Sequence, residues 1–156
     1  MLSALRTNDA PSTLMRLVDM GTEPYRVAAT VVGILAQRLC RRICTHCKQP
    51  YEVRSSELCR FGVVSSDPDQ MITLYRGAGC DMCRQRGYKG RVGLYELLTV
   101  NERIAELIVR GAPVVDIREA AKQAGMLELR EDGLVKILEG VTTPDEVVRV
   151  VFIPHP

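Results

Sequence analysis

Two short cysteine pairs carry the clearest chemistry in this sequence: Cys44-Thr45-His46-Cys47 and Cys80-Asp81-Met82-Cys83. Two residues between thiols let one tight turn aim both sulfurs at a single point. Two such turns facing each other make a tetrahedral four-sulfur site, the donor set that suits Zn²⁺. Gly77, Gly79, Gly87 and Gly90 flank the second pair, where a metal knuckle needs positive φ and close backbone approach. The competing chemistry is a pair of redox Cys-x-x-Cys motifs. Those call for a thioredoxin-like βαβ setting, which the surrounding pattern does not supply. Nothing near the cysteines suggests an open coordination position with a general base. The expected site is therefore structural, contributing on the order of 10 kcal/mol to local folding. His46 lies between two of the ligands. Adjacent residues seldom share one ion, so it is expected to face solvent. Cys40 reads as a small core residue and Cys59 as a packed or free thiol.

Other chemistry is missing from the text. There is no Gly-x-x-x-x-Gly-Lys-Ser/Thr phosphate loop, no conspicuous carboxylate pair and no nucleophile–histidine arrangement. His46 and His155 are the only histidines. No catalytic residue is expected in this chain. Basic residues crowd the cysteines: Arg38, Arg41, Arg42, Lys48 and Arg54 about the first pair, and Arg76, Arg84, Arg86, Lys89 and Arg91 about the second. Four thiolates around Zn²⁺ carry net negative charge, which these cations balance. They also fit an anionic lipid or partner contact. A nucleic-acid surface is the sharper alternative, but stacking aromatics are scarce, with Tyr51, Tyr75 and Tyr88 the nearby ones.

The elements that must position this site follow from composition and periodicity. The 156 residues amount to about one domain's worth, and 46% are hydrophobic. Aromatics make up only 4% and Trp is absent, so the core must be aliphatic. The net charge of +2 does not by itself demand nucleic acid. The N-terminus lacks a charged segment followed by an apolar one. The most apolar run, 27–36, is half the ~20 residues a spanning helix needs. These features predict a cytoplasmic setting, in which paired cysteines favour metal over disulfides.

Leu2-Ser3-Ala4-Leu5 reads as the end of a strand. Asn8 or Asp9 caps a helix with Leu14, Leu17 and Val18 on one face, closed by Gly21. A second helix is expected over 24–39, with Ala28, Val31, Val32, Leu35 and Leu39 inward. Its β-branched content would also suit a strand, but its length favours helix. Residues 52–72 read as an irregular insert with a short helix at 55–61 and a turn at 65–69. Strands are expected at 71–75 and 92–98. Four short helices follow: one capped by Asn101, one from about Pro113 with Ile117, Ala120, Ala121 and Ala124 inward, one holding Leu134, Ile137 and Leu138, and one opened by Thr143 and Glu146 as a capping box. In the last, Val147, Val148 and Val151 are expected to face in. The predicted class is mostly α with small β elements.

Several runs then converge on a known family. They are Ala36-Gln37-Arg38-Leu39 with Arg41-Arg42-Ile43-Cys44, then Gly87-Tyr88-Lys89-Gly90-Arg91-Val92-Gly93-Leu94-Tyr95-Glu96, then Leu129-Arg130-Glu131-Asp132-Gly133 and Gly140-Val141-Thr142-Thr143-Pro144-Asp145-Glu146. Together they resemble the C-terminal part of the type II secretion and type IV pilus assembly ATPases, over about residues 2–151. The resemblance implies three parts: 1–39 as the end of a RecA-like α/β core (last strand and two helices), 40–98 as a four-cysteine zinc lobe with short strands, and 99–156 as a C-terminal helical domain. It implies Cys44, Cys47, Cys80 and Cys83 as structural zinc ligands. It implies hexameric partners, an inner-membrane platform protein, and a peripheral position at the cytoplasmic face of the inner membrane. ATP and Mg²⁺ would belong only to the full-length parent. Ala4-Leu5-Arg6-Thr7-Asn8 resembles the family's histidine box, with Arg6 in place of the histidine and Ala4 in place of a threonine. That leaves a degenerate box at Arg6, Thr7 and Asn8 and no cofactor-binding residue. The mid-strand opening further suggests a truncated or mis-started product of a longer gene. The function expected is a fragment of a secretion or pilus motor, inactive alone, whose zinc lobe passes on ATP-driven motion. The alternative is a free-standing zinc-ribbon adaptor for nucleic acid or protein.

Overall fold

A computed structural model describes residues 1–64 and 66–152. Ser65 of the expected turn and His155 lie outside the described residues. The chain divides into two units: Met1–Ala36 with Tyr95–Glu128, and Gln37–Leu94 with the residues from Leu129 onward. The architecture is mixed α and β, with small antiparallel sheets. Among the described residues no helix is long and apolar enough to cross a membrane.

The first unit begins with residues 1–7 in no regular structure. The strand end expected at Leu2–Leu5 does not form; among the described residues no strand pairs with these. Helix α1, Ala10–Asp19, starts where the Asp9 carboxylate accepts the Ser12 N–H at 2.8 Å. It stops at Gly21, whose φ of +93° is the left-handed conformation glycine accepts most readily. Helix α2 is only Pro24–Thr30. The helix expected over 24–39 is therefore corrected. Its second half belongs to strand β1, Gly33–Ile43, where burial alternates with period two. Val32, Leu35 and Leu39, expected to be inward, are exposed. Physically, Val31, Val32 and Ile34 carry β-branched side chains that lose rotamer freedom in a helix, and Gly33 interrupts it. Helix α3, Glu102–Val109, follows the Asn101 cap, whose side chain accepts the Ile104 N–H at 2.9 Å. Helix α4, Val114–Gln123, buries Ile117, Ala120 and Ala121 but not Ala124. Ala10, Leu14, Val27, Leu98, Ile104, Ile108 and Ile117 form an aliphatic core.

The second unit holds strands β2, Lys48–Arg54, and β3, Met71–Gly77, paired antiparallel from Lys48↔Gly77 to Arg54↔Met71. The expected short helix is a 3-10 turn, Ser55–Phe61. Strand β4, Tyr88–Thr99, pairs with β1. Helices α5, Leu129–Leu138, and α6, Pro144–Val151, complete the unit. Phe61, Leu58, Leu74, Leu94, Ile137 and Val147 make its core. On α6 the fully inward residues are Val147 and Val150, with Val148 and Val151 at the margin.

Candidate metal centre

The β2–β3 ladder ends at Lys48↔Gly77, and this places the two cysteine pairs side by side, one before β2 and one after β3. Each pair is a tight knuckle. The Cys47 N–H points to the Cys44 carbonyl at 3.4 Å, and the Cys83 N–H to that of Cys80 at 3.2 Å. Reciprocal backbone bonds lock the knuckles together. Ala78 N–H donates to the Cys47 carbonyl and Cys44 N–H to the Gly87 carbonyl, both at 2.9 Å. Gly77 and Gly87 cross so closely that a Cβ on Gly77 would overlap the Gly87 backbone. Close approach thus accounts for Gly77 and Gly87, while Gly79 and Gly90 take positive φ, +98° and +83°. Left-handed backbone falls also on Arg84 and Gln85, just past the second knuckle.

The result brings all four sulfurs of Cys44, Cys47, Cys80 and Cys83 within 4.8 Å of one another. Cys44 and Cys80 Sγ are 3.9 Å apart, Cys47 and Cys83 Sγ 3.9 Å, and Cys80 and Cys83 Sγ 3.8 Å. A tetrahedron with metal–sulfur bonds of about 2.3 Å has edges of about 3.8 Å. The donor set and its spacing therefore fit one metal ion of tetrahedral preference. Amides already aim at the sulfurs: Gly79 N–H at Cys47 (3.3 Å), and Cys80 and Gly87 N–H at Cys83 (3.2 Å each). Burial opposes the Cys83 thiolate, but the amides of Cys80 and Gly87 and the neighbouring thiols outweigh it and draw this group down to about 6. Burial, joined by the contacts with Cys83, Cys80 and Cys44, instead pushes Cys47 up to about 11. A cation among the sulfurs would relieve this opposition by favouring all four thiolates.

The remaining candidates separate from this cluster. His46 is exposed and stands outside the four-sulfur group. Cys40 is buried on β1, with its thiol directed at the Val92 carbonyl, and burial raises its pKa. Cys59 is exposed. The three nearby tyrosines are each covered by a cation: Arg76 lies 5.4 Å from the Tyr51 ring, Lys48 4.3 Å from Tyr75 and Arg41 4.3 Å from Tyr88. Arg6 is exposed at the start of the first unit, while Thr7 shares a 2.6 Å hydroxyl contact with Thr13.

Sequence reasoning read Asp9 and Glu146 only as helix-capping residues, missing their distant partners, and gave Glu96 no role. Glu96, 2% exposed, accepts the Ala10 N–H at 2.7 Å, holding the start of α1. Asp9 meets Arg118 at 2.8 Å, and Arg118 in turn meets Glu128. Glu146 forms only half of the expected capping box. Thr143 accepts the Glu146 N–H, but the Glu146 carboxylate turns to Arg41 and Arg149. The signal that could have found it is its 1% exposure, which sequence does not display.

The family of type II/IV secretion system proteins matches this chain over residues 1–149. A type IV pilus assembly ATPase, PilB, of Thermus thermophilus is 44% identical over 147 residues, covering 94% of this chain and 16% of that protein. Type II secretion system protein E of Pseudomonas aeruginosa is 43% identical over 149 residues, covering 96% of this chain and 29% of the relative. The type II secretion system ATPase E of Vibrio cholerae is 40% identical, with 96% and 29% covered. The chain thus spans less than a third of the length of these relatives.

Proposed function

We propose, since this chain belongs to the type II/IV secretion system protein family, that it is the metal-bearing part of a motor ATPase for type II secretion or type IV pilus assembly. The observation that carries this is the 44% identity to a pilus assembly ATPase across 94% of the chain. In this reading Cys44, Cys47, Cys80 and Cys83 hold one Zn²⁺. Bound there, the ion supplies a cross-link between two backbone knuckles and no open coordination position for chemistry. Residues 1–39 serve as the edge of a RecA-like core and the helices after Thr99 as the output side. The lobe between them carries motion that ATP hydrolysis generates elsewhere. The sequence of this chain contains no phosphate loop, so ATP and Mg²⁺ are bound by other parts of the working motor. Its partners are then the other subunits of a hexamer and an inner-membrane platform protein at the cytoplasmic face.

The test is a chimaera of the Thermus thermophilus ATPase in which the aligned segment is replaced by this chain, compared with this chain alone. Phosphate release from Mg-ATP is expected from the chimaera and not from the chain alone. It is expected to be lost when Cys44 and Cys47 are both changed to serine. A folded but inactive chimaera would contradict the reading. So would ATP hydrolysis by the chain alone, or tight nucleic-acid binding that weakens steeply with salt.

A further inference from the structure

The backbone that carries the four cysteines is also the backbone that seats the segment from Gly140 to Arg149. Just before Cys44, the Ile43 N–H donates to the Val141 carbonyl at 2.9 Å. The Thr142 hydroxyl donates to the Arg41 carbonyl at 2.8 Å. The Arg41 backbone N–H and guanidinium both donate to Glu146, at 2.8 and 2.6 Å. Just after Cys47, Lys48 packs with Tyr75 against Gly140, leaving no room for a Cβ there. After Cys83, Gly87 receives the Cys44 N–H, and the next residue, Tyr88, places its hydroxyl 2.8 Å from that of Thr143 while its ring lies under Arg41. All four chain segments that leave the sulfurs, the one into Cys80 through Tyr75, thus reach one stretch of ten residues. That stretch includes the loop between α5 and α6 and the first turns of α6.

We propose that metal binding by the four cysteines and docking of α6 with its preceding loop are thermodynamically linked, so that metal loss releases α6. The inference rests on the reading of the cysteines as a Zn²⁺ site. The physical cause is geometric. Arg41, Lys48 and Tyr88 keep the spacing that matches Gly140, Thr142, Thr143 and Glu146 only while the two knuckles stay closed. Without a cation, the knuckles are left with the two backbone bonds between them, Ala78 to Cys47 and Cys44 to Gly87, and loosen. Linkage is reciprocal: if bound metal strengthens α6 docking by some factor, docked α6 strengthens metal binding by that same factor, and undocking α6 forfeits it.

Two measurements on the full chain test this. Hydrogen exchange is followed on zinc-loaded chain and on chain stripped of zinc by EDTA under reducing conditions. Residues 139–152 are expected to lose protection on stripping, while α3 and α4 keep theirs. Zinc affinity is then measured by competition with a chromophoric chelator. Glu146→Gln is expected to weaken it roughly tenfold, within the usual span of coupling between sites. Tyr88→Phe, which deletes only one hydroxyl, should weaken it about threefold and serves if the first variant does not fold. Ile117→Val, in the other unit's core, should leave it unchanged. Retained protection at 139–152 in the stripped chain overturns the linkage, as does wild-type zinc affinity in folded Glu146→Gln or Tyr88→Phe. Either result would leave the zinc site standing, whereas a chain that binds no zinc would overturn both.

Discussion

Replacing Glu146 by Gln removes one negative charge from a group that is 1% exposed and keeps its shape. Burial alone would push this carboxyl up. Bonds from Arg149 and Arg41 outweigh it and hold the group down from 4.5 to about 2. That difference corresponds to about 3 kcal/mol of preference for the carboxylate over the neutral acid, which Gln imitates. Arg41 and Arg149 are each about half exposed and can rehydrate when abandoned, so the expected cost at pH 7 is about 2 to 3 kcal/mol. The sign of the pH dependence follows. A carboxyl whose folded pKa lies below its unfolded one stabilises fully above about 4.5, and that stabilisation is lost as pH falls towards about 2. Urea unfolding of the zinc-saturated chain and of the Glu146→Gln variant should therefore differ by a constant amount between pH 8 and about 5.5. The gap should narrow as pH falls through 4.5. A difference below about 1 kcal/mol at pH 7, or one that widens on acidification, would refute the assignment of Glu146 as a buried ionised anchor.

Gly133→Ala should destabilise the second unit by about 1 to 2 kcal/mol, because overpacking against Val147 exceeds the gain in helix propensity. A Cβ there would fall 2.5 Å from Val147 Cγ1, and a lower melting temperature of the zinc-loaded variant is the check. In the native zinc-loaded chain a single thiol, Cys59, should react rapidly with a thiol reagent, because it is exposed while Cys40 is buried with a raised pKa. Cys59→Ser should abolish that fast phase, and its persistence would show that a proposed metal ligand is free.

The convergence of the four cysteines was legible because its information is local. Two Cys-x-x-Cys spacings and their glycines specify the knuckles with little help from the rest of the chain. Helix caps at Asp9 and Asn101 were legible for the same reason. Misreading began where two periodicities competed. The valines and isoleucine around Gly33 satisfy a helical stripe and a strand alike, and only pairing with β4, far along the chain, decides for the strand. The opening residues show the reverse case: a strand-like text with which no strand among the described residues pairs adopts no strand. Glu96 and Glu146 were illegible as anchors because their partners at Ala10 and Arg41 lie 86 and 105 residues away. No local pattern marks a charge that must be buried at such a separation.

Four thiolates sharing one metal ion is the feature on which the proposed role of this chain rests. X-ray absorption at the zinc edge, on the full chain purified under reducing, zinc-replete conditions, measures this most directly. One zinc per chain with a shell of four sulfurs at about 2.3 Å is expected. A shell containing nitrogen or oxygen, or a folded chain that retains no zinc, would contradict it.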